Sequence, residues 1–101
     1  MKTFLILRRT GYASPPELEK AASRSARVCR HEFADRVRWI RSYLTAEPGG
    51  RIGTVCIFQA TDSDSLREHA RRANLPCDDI IPVSGLVILE EDQPIAPPAA
   101  A

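Results

Sequence analysis

"TVCIFQATDSDSLREHARRANLP", residues 54–76, changes its hydrophobic period partway along, and that change decides the fold. Residues 54–60, TVCIFQA, are apolar on both faces, which is the pattern of a strand covered on two sides. Asp62 or Ser63 then offers a side-chain acceptor to the free N–H groups that open a helix. Asp64 follows in the first turn, where the helix dipole favours negative charge. Leu66, Ala70 and Ala73 repeat at helical spacing, His69 lies at the edge of their stripe, and "NLP" ends the helix. A buried strand therefore feeds a capped helix.

Working outward toward the start, residues 2–8, KTFLILR, read as a first strand. Ser14 caps a first helix, Pro15 has the backbone angle of a first helical position, and Glu17 completes a capping box. Leu18, Ala21, Ala22, Ser25, Val28 and Cys29 fall on one face of that helix, which ends near Cys29. Residues 36–44, RVRWIRSYL, mix aromatic, β-branched and charged side chains as a half-exposed edge strand does. "TAEPGGRIG" is a turn. On the other side, residues 80–90, IIPVSGLVILE, predict a fourth strand, with Pro82 and Gly85 suiting an edge or a bulge.

The order β-α-β-β-α-β predicts an α+β, ferredoxin-like fold: a four-stranded antiparallel sheet with both helices on one face. Strands one and three are its centre. Two helices cover only one face, so either Phe4 and Ile6 or Leu5 and Leu7 need other cover. A homodimer, or a ligand pocket between sheet and partner, supplies it.

The chain has 101 residues, enough for one core. Residues 1–91 form the expected domain, and the Pro/Ala-rich residues 92–101 a disordered tail. Fourteen basic and thirteen acidic side chains leave a net charge of +1, so no field marks a nucleic-acid binder. The four apolar residues of "FLIL" are too few for a leader peptide or a membrane span. Cys29, Cys56 and Cys77 are odd in number and widely spaced, which suggests free thiols and a reducing, cytoplasmic setting.

Trp39, Ser42, Tyr43, Cys56, Phe58, Ala60, Arg67, Glu68, His69, Ala70, Leu75 and Pro76 together make a more specific pattern. Across residues 2–90 it resembles a family of small bacterial ferredoxin-like proteins, related to nickel-binding and nickel-responsive ones and grouped with the dimeric α/β barrels. The resemblance implies a cytoplasmic homodimer able to hold metal. The chain departs from the pattern in a longer turn before Cys56, Asn74 where glycine is usual, and Phe58 where tyrosine is commoner.

A thiolate from Cys56 and an imidazole from His69 suit nickel, zinc or copper, with Glu68, a carboxylate of "EED" or a second protomer adding ligands. The plainer reading makes Cys56 a small core residue and His69 a hydrogen-bonded one. A nucleophile–base pair is disfavoured, because Cys56 sits mid-strand, away from a turn that would build an oxyanion hole. Cys29 faces the core, so it does not chelate with His31, and Asp78 and Asp79 disfavour a Cys77 thiolate. Trp39, Tyr43 and Phe58 are expected on the open sheet face, as packing or as a small-ligand pocket. Arg36 and Arg38 are expected on the opposite face from Trp39 and Arg41, so no basic-aromatic platform forms.

The expectation is thus a non-enzymatic, nickel-type binding protein with Cys56 and His69 as ligands. The alternative is a dimeric α/β-barrel enzyme or small-molecule binder that uses the aromatic pocket.

Overall fold

The computed structural model describes residues 1–95. Strand β1 spans Lys2–Tyr12, helix α1 Pro15–Glu32, β2 Val37–Ala46, β3 Ile52–Ala60, helix α2 Ser63–Arg72 and β4 Asp79–Pro82. A short 3-10 turn, Pro48–Gly50, links β2 to β3. The strands lie in the order β2-β3-β1-β4, with every neighbouring pair antiparallel. This is the expected ferredoxin-like α+β plan, with β1 and β3 central. No helix among the described residues is long and apolar enough to cross a membrane.

Both helices begin where the sequence says they should. Ser14 Oγ accepts from the Glu17 amide at 3.4 Å, and Glu17 Oε2 accepts from the Ala13 amide at 3.0 Å. In α2, Asp62 Oδ1 accepts from the Ser65 amide at 2.7 Å, and that bond holds the Asp62 carboxyl below its usual value.

Alternation along the central strands sorts their side chains. Phe4, Ile6, Cys56, Phe58 and Ala60 point into a core closed by Val28, Cys29, Phe33, Leu66 and Ala73. The faces of β1 left open by the sequence are thereby assigned: Phe4 and Ile6 lie under the helices, while Leu5 and Leu7 sit half-buried on the helix-free side with Val55 and Ile57. Removing each large core side chain from water contributes about 1.5–3 kcal/mol, so the helix-facing layer carries the stability.

Three expectations need correction. The first strand runs on to Tyr12, through an irregularity between Arg8 and Tyr12 where Thr10 takes a φ of 48°.

The fourth strand stops at Pro82 rather than reaching residue 90. Its pairing with β1 runs from Leu7 opposite Asp79 to Phe4 opposite Pro82, and a proline has no N–H with which to carry a ladder on. The last bond is from the Val83 amide to the Thr3 carbonyl, at 2.9 Å. Beyond it the chain leaves the sheet, and Leu86, Val87, Ile88 and Leu89 are all exposed.

The third correction lies in β2. A register shift between Trp39 and Arg41 leaves Ile40 as the extra residue and reverses the alternation. Trp39 therefore opposes Phe58 under the helices, while Arg41 opposes Ile57 on the other face. Trp39 and Arg41 do not share a face as the sequence suggested.

Of the expected tail, residues 92–95 have no regular structure, and residues 96–101 lie outside the described residues.

Candidate functional site

Under α1, where β1, β2 and β3 present their helix-facing side chains, the packing leaves a cavity of about 80 Å³. Leu18, Ala21 and Ala22 of the helix form its roof. Trp39, Phe58 and Leu75 add apolar wall, and Arg8, Thr54, Cys56 and Ser42 add polar atoms. One water occupies roughly 10–15 Å³ on a comparable measure, and drug-sized ligands need about 300 Å³ or more. The space suits a ligand of a few heavy atoms.

The polar side is built as a chain of donors. Trp39 Nε1 donates to Ser42 Oγ at 2.8 Å, and Ser42 Oγ donates to Cys56 Sγ at 2.9 Å. Arg8 Nη1 donates to the same sulfur at 3.2 Å. Arg8 Nε is held by the Pro76 carbonyl at 2.6 Å, which fixes the plane of the guanidinium. Arg8 is only 2% exposed, yet its Nη2 has no hydrogen-bond partner, and the same is true of buried Thr54 Oγ1. Arg8 and Thr54 oppose each other directly across β1 and β3. Among the described residues no carboxylate pairs with Arg8. Buried Tyr12 also lines the cavity, and burial pushes its phenol above the usual value despite nearby Arg8. It therefore stays protonated at neutral pH.

His69 is fully buried but does not line this cavity. Its Nε2 lies 3.2 Å from the Ser25 carbonyl, which can only accept, so Nε2 carries the proton. Nδ1 has no partner. The Phe33 and Phe58 ring centroids each lie 5.7 Å from that of the imidazole, and burial lowers its basicity.

The sequence candidates thus separate. Cys56 is in the cavity and His69 is packed among aromatic rings, with no hydrogen bond between them. Glu68 pairs with Arg36 at 3.6 Å instead. "EED" lies in the exposed segment after β4. Among the described residues no three His, Cys, Asp or Glu side chains are grouped to hold a metal ion. A divalent cation at Cys56 would also meet the Arg8 guanidinium at close range. As folded, the described residues bring no third ligand to this pair.

Trp39 and Phe58 stack at 6.0 Å with planes 3° apart, both on the cavity side rather than on the open sheet face. Tyr43 opposes Val55 on that open face, away from them. Cys29 is buried with its thiol directed at the Val37 carbonyl at 3.3 Å, and His31 is exposed. Burial, more than the neighbouring aspartates, pushes the Cys77 thiol up.

Sequence reading missed Arg8, Thr54 and the linking role of Ser42. The signal was there in part: Phe4, Ile6 and Arg8 share one parity, so an arginine follows two core residues on the inward face.

Comparison with known proteins agrees with this architecture. The chain matches a crystal structure of SCO4226 from Streptomyces coelicolor A3(2) with a TM-score of 0.66 and 16% identity, over 84% of this chain and 99% of that one. No curated protein matches it. Residues 4–83 match the family described as "Nickel responsive protein SCO4226-like", a span that takes in every strand and helix of the core from Phe4 onward. The chain belongs to the SCO4226-like, nickel-responsive family.

Proposed function

We propose that this chain is a non-enzymatic binding protein whose ligand is a small molecule seated in the cavity under α1. The observation that carries the reading is the cavity itself: about 80 Å³ of space, walled by apolar side chains and by a few fixed polar ones. Filling it is the test. Ala22→Phe, which projects from the roof of the cavity, should abolish binding of small organic solutes seen by ligand-observed NMR while leaving the fold intact. Undiminished binding by a folded Ala22→Phe protein would overturn the proposal.

The protein works as a homodimer in this reading. Leu5, Leu7, Val55 and Ile57 form a helix-free apolar face, and Leu86, Val87, Ile88 and Leu89 are 68–90% exposed beside β4. Exposed apolar area on this scale marks an interaction surface, and a second copy would cover both. Light scattering should give a dimer that Leu86→Asp with Ile88→Asp converts to monomer; a monomeric wild type sinks this part. The three cysteines are free thiols, which supports a reducing, cytoplasmic setting.

The family description favours a second reading, uptake of nickel through Cys56 and His69. The unpartnered Nδ1 of His69 is the observation in its favour. Titration with Ni(II) should then raise a thiolate-to-metal absorption band that Cys56→Ser removes. A silent titration would dismiss it.

A further inference from the structure

The cavity carries more information than its size, because its two unsatisfied polar atoms have chemical identities. Arg8 Nη2 is a cationic donor and Thr54 Oγ1 is a hydroxyl, and both residues line the same space from directly opposed positions. Burying a charged donor without a partner is costly, so a ligand that supplies the missing acceptor gains what the folded chain alone forgoes. The guanidinium is already oriented by Pro76 and Cys56, so little ordering is needed on binding. Two free donors match the two oxygens of a carboxylate. A phosphate or sulfate would bring four oxygens and leave some of them against Leu18, Ala21 and Leu75. The apolar remainder of the wall suits a short hydrocarbon tail instead.

We propose that the cavity binds a short-chain monocarboxylate, with its oxygens on Arg8 Nη2 and Thr54 Oγ1 and its alkyl end against the Trp39–Phe58–Leu75 wall. This rests on the cavity being a ligand site at all, and the experiment separates the two claims.

Trp39 is the only tryptophan and lines the cavity, so its emission reports occupancy. The full chain is titrated at constant ionic strength with sodium acetate, propionate and butyrate, with neutral butyramide, and with sodium phosphate and sulfate. Saturable emission change and a raised Tm are expected for a carboxylate. Butyramide should bind at least about tenfold more weakly, the loss expected when a charged hydrogen bond becomes a neutral one. Arg8→Lys keeps the charge but loses the fixed fork and should weaken carboxylate binding by a similar factor. Thr54→Val, which leaves the Arg8 anchors untouched, should weaken it by a smaller factor and keeps the test informative if Arg8→Lys does not fold. Equal binding of butyramide and butyrate would overturn the anion assignment while leaving the cavity a ligand site. Preference for phosphate or sulfate would overturn the carboxylate assignment. Failure of every solute, neutral ones included, would overturn the parent reading as well.

Discussion

Arg8 Nη1 lies 3.2 Å from Cys56 Sγ, so the cysteine that the sequence offers as a metal ligand is already the acceptor of a buried cation's hydrogen bond. Ser42 Oγ donates to the same sulfur from 2.9 Å, with its hydroxyl turned that way because its oxygen accepts from Trp39. The polar centre of the molecule is therefore arranged around a positive charge. A positive charge at that place suits an anionic guest better than a metal ion.

His69 should make the protein sensitive to acid. Burial depresses its basicity in the folded state, while the unfolded histidine titrates near pH 6.5. As pH falls through that value the unfolded chain takes up a proton that the folded chain resists. Stability is thus fully present above about pH 6.5 and falls below it, by at most about 1.4 kcal/mol per pH unit for one proton. Urea midpoints of wild type and His69→Gln at pH 5, 6, 7 and 8 measure this. Parallel curves for the two proteins would show that another group governs the acid limb.

Leu66 is completely buried between α2 and the sheet. Leu66→Ala should cost about 2–5 kcal/mol through lost apolar contact and the void it leaves. Chemical denaturation with an unchanged m-value should report it, and a loss below about 1 kcal/mol would contradict the packing described.

Gly53 is fixed by close approach rather than by its own backbone angle. A Cβ there would sit 2.7 Å from Thr45 Oγ1 and 2.8 Å from the Arg8 carbonyl oxygen. The threonine can turn away but the β1 backbone cannot, so Gly53→Ala should destabilise by about 1–3 kcal/mol. Adding Thr45→Ala should recover only part of it. Full recovery would mean that the backbone approach is looser than this.

Asn74 follows α2 with a φ of 54°, the left-handed region in which asparagine is the next choice after glycine. Asparagine thus does here what a glycine would do in backbone terms. Asn74→Gly should leave thermal stability nearly unchanged, while Asn74→Val should cost about 1–2 kcal/mol. A stable valine variant would argue against the left-handed turn.

The α+β plan was legible because each element announces itself locally. Ser14 and Asp62 cap helices through bonds to residues three positions on, and "VCIF" reads as central because both its faces are apolar. The strand order follows from that alone. The length of β4 was not legible, because the apolar character of "GLVILE" does not tell that the pairing with β1 stops at Pro82.

The site divides in the same way. Cys56 could be placed on a strand and His69 on a helix stripe from the sequence, but that the thiol bonds Arg8 and Ser42 while the imidazole packs against Phe33 and Phe58 is a tertiary fact. Trp39 and Phe58 were expected together, but the parting of Trp39 from Tyr43 hangs on a single extra residue at Ile40, which inverts every later position of β2. Local propensities do not announce a bulge of this kind. What the sequence by itself determined is the order of elements and the shared parity of Phe4, Ile6 and Arg8, since capping and alternation act between near neighbours; which parity faces the helices it left open. Only the tertiary structure decided that Arg8 meets Cys56 and faces Thr54, because residues so far apart in the chain meet only through the register of the sheet.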